Sequence, residues 1–165
     1  MSANRIDAVA TADGLAINGY LFDKKLPLER YSEILGEPSR TIAAGPPAPA
    51  GHRNNQVHVF DSDGIYLTAH HASRLIESVN FVFDPTESPF SIKENFCGNL
   101  RVDRQQLRPN MAEADLDLTL FARDLPGEYS VEYKNCWIGV YSRGRRYPNG
   151  KRKNPRYVVR VSVCS

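Results

Sequence analysis

Apolar and polar residues alternate along most of this chain, and a period of two predicts strands rather than helices. Ile6–Ala10 and Leu15-Ala16-Ile17 read as two short strands. Asn18-Gly19 after them is a turn signal, because both residues tolerate positive φ. One segment breaks the period. In Leu26–Leu35 the apolar residues Leu28, Tyr31, Ile34 and Leu35 return every three to four positions, which predicts a short amphipathic helix. Pro27 suits its first turn, Gly36 its left-handed end, and Pro38 stops it.

The clearest alternation flanks Asp61-Ser62-Asp63-Gly64, with Gln56–Phe60 before it and Ile65–His70 after it. A loop of four residues pairs Val59 with Tyr66 and mixes apolar with polar positions. A loop of three, Ser62-Asp63-Gly64, pairs Val59 with Leu67 and Val57 with Ala69, so one face is wholly apolar. The three-residue loop is therefore expected, with Gly64 in the left-handed bulge position. Leu75–Phe83 and Gly98–Val102 predict further strands, whereas 111–124 is ambiguous between helix and strand. Glu132 to Ser142 and Arg156 to Val163 predict a C-terminal hairpin, its buried face formed by Tyr157, Val159, Val161 and Val163. A faint repeat runs at an offset of 85, matching Leu15, Ile17, Asn18 and Phe22 to Leu100, Val102, Asp103 and Leu107.

These elements place the chain in the α+β class: a mostly antiparallel sheet, one or two short helices, and a C-terminal β-hairpin with a basic tip. At 165 residues, with 41% hydrophobic and 24% charged, residues 1–165 read as a single globular domain. Within it, 43–55 is a Pro/Ala/Gly surface loop and 143–156 the basic tip. The first residues are polar where a signal peptide needs an apolar run, and no apolar stretch is long enough to span a bilayer. Three cysteines, Cys97, Cys136 and Cys164, have no C-x-x-C spacing and suit the reduced thiols of a cytoplasmic protein.

Charge changes the picture more than composition does. Residues 1–142 carry 13 Lys/Arg against all 19 acids, a balance of −6, while 143–165 carry eight Lys/Arg and no acid. An acidic body thus ends in a basic segment. The segment can dock on an acidic protein, grip phosphates with Tyr147 stacked on a base, or be a solvated tip. Its candidate contact residues are Arg145, Arg146, Tyr147, Lys151 and Arg152; on the acidic body they are Asp63, Tyr66, Glu77 and Asp84.

Catalytic signatures are missing from the sequence. There is no nucleophile elbow, phosphate-binding glycine loop or H-E-x-x-H. Asp61-x-Asp63-Gly64 lacks the remaining ligands of a calcium loop. Adjacent His70 and His71 point to opposite faces of a strand, and His58 with His70 makes a poor metal pair without a carboxylate. The expectation is a protein with no cofactor, no metal and no catalytic site.

Four turn and cap motifs carry a resemblance across residues 15–104. They are Ile17-Asn18-Gly19; Leu35-Gly36-Glu37-Pro38-Ser39-Arg40; Phe60-Asp61-Ser62-Asp63-Gly64-Ile65; and, after the long strand Ser78–Asp84, Phe96-Cys97-Gly98-Asn99-Leu100. The pattern resembles a small bacterial domain associated with type VI secretion loci. The resemblance implies an immunity protein that binds and neutralises a secreted antibacterial toxin, and an acidic body suits a basic toxin. It implies no catalytic residues and does not extend to the basic hairpin. The competing expectation is a nucleic-acid-binding accessory protein that uses that hairpin.

Overall fold

Short alternating segments punctuated by Gly and Asn fold into two sheets that share one core. The computed structural model describes residues 5–43, 55–88, 90–146 and 148–165, so most of the 43–55 loop lies outside the described residues. The smaller sheet contains β1 (Asp7–Thr11), β2 (Gly14–Ile17), β3 (Tyr20–Phe22), β8 (Asn99–Val102) and β9 (Gln105–Leu107). Its spatial order is β3-β2-β1-β8-β9, with β1 and β8 parallel and the rest antiparallel. The larger sheet holds β4 (Arg40–Ala43), β5 (Gln56–Phe60), β6 (Ile65–Ala69), β7 (Ile76–Val82), β10 (Ala122–Leu125), β11 (Glu128–Glu132), β12 (Trp137–Arg146) and β13 (Arg152–Cys164). It is antiparallel throughout in the order β10-β11-β12-β13-β7-β6-β5-β4, which puts β13 in the middle.

The α+β expectation is corrected. Among the described residues, 13 strands face a single helix, α1 (Leu28–Leu35), and two single-turn 3-10 segments at Pro85–Glu87 and Glu113–Asp115. This is a β fold. The ambiguous stretch 111–124 makes no second helix: it becomes the second 3-10 turn, a loop and the start of β10. Helix α1 does form as its spacing predicts, ending where the Gly36 N–H reaches the Ser32 carbonyl at 2.9 Å. It seals the core by stacking Tyr31 on Phe22, ring centroids 4.1 Å apart.

Ala8, Ile17, Leu100 and Val102 of the smaller sheet and Leu67, Phe81, Ile138 and Val161 of the larger are all buried in one cluster. The β2–β3 and β8–β9 hairpins flank β1 with matching pairs, Leu15 opposite Phe22 and Leu100 opposite Leu107. The repeat at offset 85 therefore has a structural counterpart.

Two register expectations are corrected. The β5–β6 loop has four residues, so Val59 pairs with Tyr66 and His58 with Leu67. The three-residue choice assumed one apolar face, but this hairpin is buried on both. Phe60, Ile65 and Leu67 join the main core, while Val57, Val59 and Tyr66 form a second cluster with Val82 and Ile92 on the other side. Alternation carries no register information when both faces are apolar. In β13 a bulge intervenes, because Tyr141 pairs with Arg160 but Ser142 with Val158. Val158, Val161 and Val163 therefore face the core, and Tyr157 and Val159 turn the other way.

Candidate functional site

The bulge that turns Tyr157 and Val159 away from the main core leaves both lining a groove. At this point β13 parts from β7: the Val159 carbonyl accepts the N–H groups of Phe83 and Asp84 at 2.8 and 3.1 Å, and the Val158 N–H reaches Met111 at 2.8 Å. A cavity of about 720 Å³ lies between the hairpin and the segment after β7. Buried Phe83, Val158 and Val159 make its apolar part. Asp84 and Glu87 line it from the segment after β7 and Arg143 and Arg145 from β12, and Asn95 and Asn110 line it as well.

The walls are tied together by charge. Arg152 donates to both Glu87 carboxylate oxygens at 2.8 and 3.0 Å and to the Gly144 carbonyl at 3.2 Å. The hydrogen bond it donates to Glu87 raises the Arg152 pKa further, so the guanidinium stays charged. Arg145, exposed, lies over the Tyr157 ring at 4.9 Å. Arg143 donates to the Ser142 carbonyl at 2.8 Å and stands 3.8 Å from Glu128. Asp84 accepts from the Thr86 amide and hydroxyl at 3.0 and 2.6 Å, which caps the 3-10 turn carrying Glu87.

A smaller hollow of about 440 Å³, lined by Glu113, Leu118, Arg123, Tyr129 and Arg156, lies elsewhere on the hairpin. Glu113 accepts a hydrogen bond from Ser142 and stands 4.0 Å from Arg156. Burial pushes the Glu113 carboxyl up, but the Ser142 and Tyr129 hydrogen bonds and Arg156 outweigh it and hold the group below its usual range.

The residues singled out in the sequence separate into distinct places. Asp84 and Arg145 line the groove, and Arg152 reaches two of its lining residues, Glu87 and Gly144. Asp63 sits half-buried in the β5–β6 turn, where burial raises its carboxyl pKa. Glu77 lies at the opposite end of β7 from Asp84, roughly 20 Å back along the strand, and 3.9 Å from Lys25. Tyr66 is a core residue, 3% exposed, accepting from Arg160 at 3.0 Å and meeting Phe90 edge to face. It is out of a partner's reach, so the expected acidic surface of Asp63, Tyr66, Glu77 and Asp84 is not one surface. Lys151 is exposed at the tip. Arg146 contributes backbone to β12; its side chain and Tyr147 lie outside the described residues. Sequence reading missed Glu87, Asn95, Asn110 and the outward turn of Tyr157. Only a contact across 65 positions identifies Glu87 as the partner of Arg152.

Among the described residues no group of three His, Cys, Asp or Glu side chains has metal-binding geometry. His58 is buried, its Nδ1 2.9 Å from the Thr41 hydroxyl, and burial lowers its pKa. Burial raises the thiol pKa of Cys136 and Cys164, and all three cysteines are free. No helix among the described residues is long and apolar enough to cross a membrane.

The four motifs behind the family resemblance converge on structure rather than on a site. Arg40 closes the second motif and Asp61 is the second residue of the third, and the pair forms a fork of 3.1 and 3.2 Å. Gly64 lies against the Phe96 backbone, and Gly98 against Phe96 and Ile6. The family described as a domain of unknown function (DUF7738) matches residues 9–117. No curated protein and no solved structure matches.

Proposed function

The chain belongs to the DUF7738 family, and from that premise we propose that it is a non-catalytic, cytoplasmic protein-binding protein, an immunity protein that holds and blocks a secreted antibacterial toxin. The observation that carries the reading is the groove, where an apolar floor lies between an acidic and a basic wall. Such a surface offers apolar burial flanked by charge of both signs, as protein interfaces do. The resemblance in residues 15–104 supplies the toxin. Nucleic acid fits less well: Arg143, Arg152 and Arg156 already stand within 4.0 Å of Glu128, Glu87 and Glu113, so much of the hairpin's charge is met within the chain.

Affinity capture of the tagged chain from its native cells, after nuclease treatment, tests this. One stoichiometric protein is expected. That protein, expressed alone in a test host, arrests growth, and co-expression of this chain relieves the arrest. Arg145→Glu and Tyr157→Ala each weaken the complex about ten-fold or more, as truncations at an interface centre do. Recovery only with intact nucleic acid, or a partner that does no harm alone, overturns the reading.

A further inference from the structure

The free flank of the larger sheet carries an independent inference. Strand β10 is the last in its order and has only β11 beside it. All four of its residues, Ala122-Arg123-Asp124-Leu125, are exposed. Leu125 is 59% exposed and Leu118, which lines the neighbouring hollow with Arg123, is 65% exposed; both belong to the few large apolar side chains left in water. An open strand edge with apolar side chains is a template for another strand.

The four residues read as their own complement. Laid antiparallel on a second copy, they place Ala122 opposite Leu125 and Arg123 opposite Asp124, twice each by symmetry. Every neighbouring arrangement is worse. An antiparallel slip of one residue sets Arg123 against Arg123 or Asp124 against Asp124, and an in-register parallel pairing opposes both like charges. A parallel pairing slipped by one keeps a single Arg123–Asp124 pair while setting the other charges against Ala122 and Leu125. The bulge in β10 supports the same register. Ala122 pairs with Ser130 and Leu125 with Glu128, while Asp124 is the extra residue between Arg123 and Leu125. The extra residue is what puts Ala122 and Leu125 on one face of the sheet although they stand three apart. Pro126 then ends the edge, since it has no N–H to give.

We propose that β10 docks a second copy of this chain, edge to edge and antiparallel in that register, joining the two larger sheets into one. Four residues a side make a small contact, so the association is weak and depends on concentration. Sedimentation velocity of the full chain over a range of concentrations tests it. A monomer–dimer equilibrium is expected. Arg123→Asp and Asp124→Arg each oppose like charges and weaken the dimer about ten-fold. Mixing the two variants restores it, because every acidic side chain again faces a basic one. Leu125→Lys weakens it as well. All three sites are exposed, so unchanged thermal melts confirm that the variants remain folded. A chain that stays monomeric at every concentration, a dimer that ignores both reversals, or a mixture that stays apart overturns the proposal.

Discussion

At Gly64 two constraints coincide, and they can be measured separately. Its φ is +64°, and a Cβ built there lies 2.2 Å from the Phe96 nitrogen and 2.4 Å from the Asn95 carbonyl carbon. Gly19 has φ +82° but nothing within 4 Å of the same position. Gly19→Ala should therefore lose about 1 kcal/mol to backbone strain, and Gly64→Ala about 3 kcal/mol or more, because backbone must also move. Urea unfolding of the two variants checks the difference; equal losses sink the packing argument. The sequence marks Gly64 as a turn residue, since glycine tolerates positive φ, but it holds no trace of Phe96 pressing on it from 32 positions away. Asp61 gives a second prediction. The Arg40 hydrogen bond holds its carboxyl below the usual range. Folding thus favours the ionised form, and the stability it adds is present above the ordinary carboxylate pKa of about 4 and lost as pH falls through the lower folded value. Asp61→Asn should cost about 1–2 kcal/mol at neutral pH, less than a fully buried pair because water reaches Arg40. Its stability curve should meet the parent's in acid. Curves that stay parallel to low pH refute the ion pair's part in stability.

Among the elements, those set by local chemistry were legible. Helix α1 and the Asn18-Gly19 turn, whose two φ values are +50° and +82°, follow from spacing and turn residues. What failed depended on neighbours. The register of β5 and β6 turns on a second apolar layer, supplied by Val82 and Ile92 from other parts of the chain. The outward turn of Tyr157 depends on a bulge at Val159 that no residue type signals. The hairpin itself looked like a free basic tip, yet Arg152 clasps it to Glu87. Since that pair is partly exposed, Glu87→Gln should change global stability by about 1 kcal/mol or less. Its effect should appear instead as faster amide hydrogen exchange over residues 152–158, with β5–β7 unchanged. Unaltered exchange across the hairpin means the clasp does not hold it.

The whole molecule is the scale at which the sequence was least informative, because its defining contacts span the chain. Strand β1 pairs in parallel with β8, Asp7 opposite Asn99, and β13 inserts between β7 and β12, Arg160 opposite Val82. Charge counting divided the chain into an acidic body and a basic tail, and the fold brings parts of the two face to face across one groove. The same topology bears on where the domain ends. The family match stops at residue 117, but β10–β13 lie beyond it and make half of the larger sheet. Together with Phe121 just before β10, they bring Tyr129, Ile138, Val140, Val158, Val161 and Val163 into the core, all buried. At about 1.5–3 kcal/mol for each buried side chain, their loss removes about 10 kcal/mol or more, comparable with the whole stability of an ordinary domain. It also leaves β7 with an open edge in the middle of the sheet. A fragment of residues 1–117 should therefore give no cooperative thermal transition and should aggregate as concentration rises, whereas the full chain melts in one step. If the fragment melts cooperatively, the smaller sheet and β4–β7 form a self-sufficient core, and the C-terminal strands are an addition to the fold rather than its centre.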